Sequence, residues 1–223
     1  MKTKLITLTI ALLGLSINVA SAEAPAVNGN IGVGYSSDYH RRGEVLSQEA
    51  MQAQVGFNVG LGAVELFGDY LTNHSTDSSG LDSDETTIGL STSLFEDSLS
   101  AYVGIYNTDT DTTDSDLEAF ASVQANVRLT PTLSVYKDTD DSLYTLEGQL
   151  SYDIDLDVVN LELAGIYGNT ESSAATDTNY SAAKVTATKT FKENLNFYAD
   201  ISLSDTDARE NETTWGIGLN VKF

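Results

Sequence analysis

Residues 213–223 read TTWGIGLNVKF, and their alternation decides the fold class. Thr213, Trp215, Ile217, Leu219, Val221 and Phe223 fall on one side. Thr214, Gly216, Gly218, Asn220 and Lys222 fall on the other. A period of two sustained over this length describes an extended strand with one apolar and one polar face. The same rule runs through 48–59, where Met51, Ala53, Val55, Phe57 and Val59 oppose Gln52, Gln54, Gly56 and Asn58. It recurs in 117–129, where Leu117, Ala119, Ala121, Val123, Ala125, Val127 and Leu129 oppose Glu118, Phe120, Ser122, Gln124, Asn126 and Arg128.

Extended along the chain, the pattern predicts twelve strands: 27–39, 48–59, 63–73, 85–94, 99–107, 117–129, 132–138, 143–154, 158–167, 179–191, 195–204 and 212–223. The connections fall into two kinds. Short ones are expected at 60–62, 95–98, 130–131, 155–157 and 192–194. Longer polar ones are expected at 40–47, 74–84, 108–116, 168–178 and 205–211, with 139–142 a short exception. An even strand number with alternating tight turns and longer loops predicts an all-β, antiparallel, up-and-down transmembrane barrel with both termini in the periplasm. A soluble β-sandwich also alternates. Against it stand the strand lengths, the small residues scattered over the apolar face and the closing aromatic Phe223.

The rings provide an independent test, because amphipathic aromatics concentrate at membrane interfaces. Tyr39, Tyr70, Tyr144, Tyr167, Tyr180 and Trp215 are expected in an outer girdle. Phe57, Phe95, Phe191, Phe197 and Phe223 are expected in an inner one.

At the N-terminus, Lys2 and Lys4 precede the apolar run Leu5–Leu15, and Ala20, Ser21 and Ala22 supply small residues for cleavage. This predicts a signal peptide over 1–22 and a mature barrel over 23–223. The chain has 11 Lys+Arg against 33 Asp+Glu, and losing Lys2 and Lys4 makes the mature part more anionic still. A polyanion would be repelled, so nucleic acid is excluded as a partner. Cysteine is absent, so no disulfide framework supports the fold. Beyond the signal no apolar run approaches the roughly 20 residues of a spanning helix.

The inward set is polar and mostly acidic. Pore-lining candidates are Asp38, Arg42, Glu65, Asp69, Glu85, Tyr102, Tyr106, Glu118, Arg128, Glu147, Glu162, Lys184 and Asp200. Carboxylates around a narrow aqueous path raise the local cation concentration and oppose anions. The competing reading pairs these acids with Arg128, Lys184 and Lys222 to close the lumen. The stretches TDTDTTDSD (108–116) and DTDD (138–141) read as solvated acidic loops; they lack the glycine and terminal glutamate of a calcium-binding loop. His40 and His74 are the only histidines, both near outer strand ends; His74, facing lipid beside Ser75 and close to Asp77, is the candidate base of the hydrolase alternative, which requires the two side chains to be within hydrogen-bond reach. No phosphate-cradling loop or metal-ligand spacing occurs, so no cofactor is expected.

The stretch Ser37-Asp38-Tyr39-His40-Arg41-Arg42-Gly43, followed by Gln48-Glu49-Ala50-Met51-Gln52, resembles the TorF-type porin family of Gram-negative outer membranes over about 25 residues. Glu49 stands where that family has Pro, and Arg41 where an aromatic or aliphatic residue is usual. The resemblance implies a porin, with Phe223 as a terminal aromatic of the kind presented to the barrel assembly machinery.

The expected activity is a passive, cation-preferring channel for small hydrophilic solutes in the cell outer membrane. The alternatives are a non-conducting structural or adhesion barrel with acidic loops, such as a phage or surface receptor, and more remotely a lipid hydrolase. Expected partners are outer-membrane lipid, lipopolysaccharide, the assembly machinery, small solutes or cations and, as an alternative to a lone barrel, further copies of the chain. Strand parity sends Arg41 outward to lipopolysaccharide phosphate. It places Arg42 at the mouth, near Asp38 or Glu49, as an anchor for the first loop.

Overall fold

A computed structural model describes residues 25–77, 80–111, 113–139, 143–172, 177–207 and 209–223. The signal segment 1–22 and parts of both acidic stretches therefore lie outside the described residues.

The strands are β1 (Val27–Arg41), β2 (Glu44–Gly60), β3 (Glu65–Ser75), β4 (Ser83–Leu94), β5 (Leu99–Thr110) and β6 (Thr113–Ala125). They continue as β7 (Thr130–Asp138), β8 (Leu143–Leu156), β9 (Val159–Ser172), β10 (Thr178–Phe191), β11 (Leu195–Thr206) and β12 (Arg209–Lys222). Each strand pairs antiparallel with its neighbours in sequence, and β1 pairs with β12 to close the barrel. The closing register runs from Asn30 opposite Lys222 to Ser36 opposite Gly216. Phe223 fastens this seam: its N–H donates to the Gly29 carbonyl (2.9 Å) and its own carbonyl accepts from the Gly29 N–H (2.8 Å).

The side-chain distribution is that of a membrane barrel. Val55, Ile88, Val103, Leu133, Leu150, Ile201 and Leu219 are exposed on the outer face of the wall. An apolar band of that extent matches lipid, whereas a sandwich would bury it. Among the described residues the buried hydrophobic side chains are Leu46, Ala50 and Tyr180, all at one end of the lumen. Tyr70, Tyr144, Tyr167 and Trp215 form an exposed ring at that end. Phe57, Phe95, Phe191, Phe197 and Phe223 form another at the end bearing the termini.

The strands run longer than their alternation predicts, because polar residues continue the pairing beyond the apolar band. The expected loops 40–47, 108–116 and 205–211 are largely strand: β1 and β2 leave only 42–43 between them, β5 runs to Thr110 and β6 begins at Thr113, and β11 runs to Thr206 and β12 begins at Arg209. Most of TDTDTTDSD is thus hairpin strand, with Thr108 opposite Asp116. The turn expected at 130–131 lies instead at 126–129, where Asn126 is held by the Asp97 carbonyl and Ser100 Oγ. Arg128 consequently leaves the inward face of β6. Its Nε donates to the Tyr152 hydroxyl (3.0 Å), which lies on the outward side of β8, so Arg128 does not line the lumen.

Candidate functional site: an arginine-tipped hairpin across the lumen

The β1–β2 hairpin is the one that leaves the wall. Pairing of β1 with β12 stops at Ser36, and pairing of β2 with β3 stops at Ala50. Between these points, residues 37–49 pair only with each other, out to Arg41 opposite Glu44. Two features let the ribbon bend. The register slips between Tyr39 and His40, leaving Leu46 as an extra residue on β2, and such a bulge bends and twists a strand. Glu49, where β2 rejoins the wall, has φ +47°. Proline cannot adopt that angle, which accounts for a non-proline residue at this position.

The tip is a two-residue turn with φ +48° at Arg42 and +81° at Gly43. Both angles belong to the mirror-image turn that suits a twisted hairpin. Gly43 is suited to it on two counts: a Cβ there would sit 2.9 Å from atoms of both Tyr180 and Thr206. An arginine in the left-handed region is less usual and costs about 1–2 kcal/mol. It is held there by what its side chain meets.

Both guanidinium groups converge on Glu118 of β6, halfway round the barrel from β1. Arg42 Nη1 donates to both Glu118 carboxylate oxygens, at 2.6 Å for Oε2, and Arg41 Nη2 donates to Oε2 at 3.0 Å. Arg41 also bonds the Thr108 hydroxyl. The Arg41 guanidinium lies 4.1 Å from the Tyr106 ring centroid and that of Arg42 3.5 Å from Tyr136, a stacking worth about 2 kcal/mol when desolvated. Glu118 is 6% exposed, so the cluster is shielded from water. A buried carboxylate of this kind is tolerable only with such partners.

Arg41 therefore does not reach the lipid face. Parity along β1 is intact, but the ribbon has turned inward, so both of its faces look into the lumen. The Tyr39–Arg41 face meets the β4–β6 wall, where the Tyr39 hydroxyl donates to Glu85 Oε2 (3.2 Å). The other face meets β11 and β12, where His40 Nδ1 is 3.3 Å from Ser204 Oγ and Nε2 is 3.2 Å from Glu212. Tyr39 is likewise no girdle residue. Nor is Tyr180, which is 4% exposed and donates to Glu147 Oε2 at 2.7 Å. Near the hinge, Ser47 Oγ donates to the Leu81 carbonyl (2.7 Å), and Gln52, Asn73 and Ser83 form a hydrogen-bonded chain.

The predicted inward residues thus separate into groups. Arg42, Glu85, Tyr106 and Glu118 meet in the cluster. Asp38, Glu147, Lys184 and Asp200 line a space of about 380 Å³ beside it, with Lys184 Nζ 3.3 Å from Asp200. Asp69 and Glu162 stand exposed to the lumen further down the wall. Glu65 and Tyr102 line a cavity of about 460 Å³ at the end bearing the termini. The missed element is aromatic. Phe67 lies 6.1 Å from Tyr102 and 6.5 Å from Phe120, and Phe120 lies 6.1 Å from Tyr136. These inward rings run as a column down the β3–β7 side. The signal for it was two phenylalanines, Phe67 and Phe120, in otherwise polar columns.

His74, the other candidate base, is on the outer side. Its Nδ1 meets Asp82 Oδ2 (2.6 Å), while the adjacent Ser75 hydroxyl donates to the Gln48 carbonyl (2.6 Å). The two side chains are committed to different partners, which is not a nucleophile–base arrangement.

No family model matches the chain, and no curated protein matches it. Solved structures do. The KdgM porin is 12% identical with a TM-score of 0.58, covering 87% of this chain and 99% of its own. The NanC porin is 11% identical at 0.55, covering 87% and 100%. The COG4313 outer membrane channel from Pseudomonas putida F1 is 12% identical at 0.54, covering 91% and 97%. At such identities the likeness is one of fold: the chain has the barrel architecture found in outer-membrane porins and channels.

Proposed function

We propose that the protein is an outer-membrane porin, a passive channel preferring cations and passing small hydrophilic solutes. The observation that carries this reading is the lumen itself. Its inward face holds Asp38, Asp69, Glu85, Glu118, Glu147, Glu162 and Asp200, and one inward lysine, Lys184, stands mid-wall among them. Arg41 and Arg42 cluster on Glu118, and together with Lys184 they offset only part of these carboxylates. A narrow aqueous path beside fixed negative charge admits cations and disfavours anions.

In this reading residues 1–22 direct export and are removed, both termini face the periplasm, and the hairpin crosses the outer mouth. Lipid and lipopolysaccharide surround the apolar band, and Phe223 serves assembly. The TorF-type family is the assignment favoured by SDYHRRG, now with a structural role for that motif as a luminal hairpin tip. The second reading, a non-conducting barrel, is favoured by the hairpin's occlusion of the mouth.

Planar-bilayer recording on the purified, refolded protein separates the two. The channel reading expects single-channel steps and a reversal potential shifted toward the cation equilibrium value in a salt gradient. An anion-side reversal would overturn the cation preference. Silence from both the full chain and a variant lacking residues 39–47 would establish the non-conducting barrel.

A further inference from the structure

The hairpin does not close the mouth evenly. At its level, the β4–β7 side is tightly packed: Thr108, Glu118 and Ser134 are each 6% exposed, and the arginines stack on the Tyr106 and Tyr136 rings. Below, the column Tyr136–Phe120–Phe67 continues the obstruction along the same side. The β9–β12 side is built differently. Its inward positions include Ala164, Ala182, Gly216 and Gly218, and the space of about 380 Å³ lies there, between this wall and the hairpin.

We propose that solutes cross this barrel off its axis, through the space between the β1–β2 hairpin and the β9–β12 wall, and that this space is a subsite for small solutes bearing an ammonium group. The proposal rests on the channel reading above and adds its route and its solute class.

The chemistry of the lining favours such a solute. The cations nearby are engaged: Lys184 with Asp200 and Arg42 with Glu118. Asp38 and Glu147 supply further carboxylates, and among the described residues the side chain donating to Glu147 is the neutral Tyr180 hydroxyl. The Tyr198 ring adds a face that attracts organic cations. It lies against Gly218 and Gly34, in contacts too close to admit a Cβ, so the ring runs along the wall, whereas Tyr180 is buried beneath the hairpin tip. The hydroxyls of Ser202 and Thr214 complete a polar lining. A carboxylate-bearing solute would meet like charge at each of these acids.

The chain has no cysteine, so single cysteines report cleanly. Ser202→Cys places a thiol in the proposed route; Ser122→Cys places one on the filled side, where Ser122 is bonded to Ser134. A positively charged thiosulfonate reagent applied during bilayer recording should lower the conductance of Ser202→Cys by roughly half or more, as expected for a bulky cation fixed in a narrow path, and leave Ser122→Cys unchanged. Ser204→Cys is a second reporter of the same space should Ser202→Cys fail to fold. Choline added to one chamber tests the solute class: it should carry measurable current, and Asp38→Asn with Glu147→Gln should reduce its permeability relative to potassium. Equal modification at 122 and 202, or a larger effect at 122, would overturn the route. Choline permeability insensitive to the double variant would overturn the subsite. Current that persists in either case leaves the channel reading standing, whereas silence from every variant, including one lacking 39–47, would overturn both.

Discussion

On the β3–β7 side of the lumen the inward rings of Phe67, Tyr102, Phe120 and Tyr136 touch one another in a column; on the β9–β12 side Tyr180 and Tyr198 stand apart among alanine, glycine, serine, Lys184 and Asp200. Both sides belong to one wall with one hydrogen-bonding rule, and from outside both present the same apolar band. The difference is confined to the inner face. A barrel of twelve strands need not be a uniform tube: contacting rings on one side and a space of about 380 Å³ on the other are the basis of the off-axis route proposed above. The hairpin follows the same asymmetry, since it anchors on the large-residue side and leaves its other face, with Asp38 and His40, toward the small-residue side.

The largest effect on this contrast should come from removing the hairpin tip. Joining residue 38 to residue 48 through a short glycine-containing turn deletes Arg41 and Arg42 and leaves the wall pairing of β1 with β12 and of β2 with β3 intact. Single-channel conductance should rise several-fold, and the selectivity for cations should sharpen as two luminal cations are lost. A conductance equal to that of the full chain would mean that the hairpin does not restrict flow.

Glu118→Gln tests the anchor rather than the plug. It leaves two guanidinium groups in a water-poor site with Glu85 as the remaining acid of the cluster, a loss of at most about 3–5 kcal/mol for a buried pair broken on one side. The wall has its own ladder of backbone bonds, so this cost falls on the hairpin's docking and not on the barrel. Flickering conductance and faster proteolysis within 39–47 are expected, with unchanged strand content by circular dichroism. A hairpin equally protected in the variant would show that Tyr106 and Tyr136 suffice to hold the arginines.

How far these features were legible in the sequence depends on how local their causes are. Wall strands follow from period two, and Val55 or Leu219 announce lipid contact without reference to any other residue. The hairpin does not, because parity assigns a face to Arg41 only while the ribbon stays in the wall. Whether it stays is decided by Glu118, 77 residues away, and by a bulge that no local pattern announces. Tyr39 and Tyr180 depart from the girdle for the same reason: the rule presumes that an aromatic near a strand end looks outward. Arg128 turns on a smaller difference: β6 ends at Ala125, whereas the alternation continues to 129.

Phe120→Ala sharpens the contrast from its filled side. The ring stands between Phe67 and Tyr136, and its removal opens space in the column without touching an ion pair. Aromatic truncations in close-packed cores cost about 3–5 kcal/mol. The effect here should lie below that range, because the lumen can admit water where a core cannot. Conductance should rise modestly, well short of hairpin removal, and a thiol at position 122 should become reactive toward the cationic reagent.

The smallest effect is expected from His74→Ala. His74 is exposed on the outer side, and its contact to Asp82 is an exposed ion pair of the kind worth about 0–1 kcal/mol. The Ser75 backbone N–H also donates to Asp82, at 2.8 Å, so that carboxylate keeps a partner when the imidazole is gone. Conductance, selectivity and thermal stability should all match the parent chain. The variant also closes the question of catalysis on this face. Hydrolysis of a phospholipid or ester by the parent that vanished with His74 would require a second activity outside the lumen, which neither side of the channel could supply.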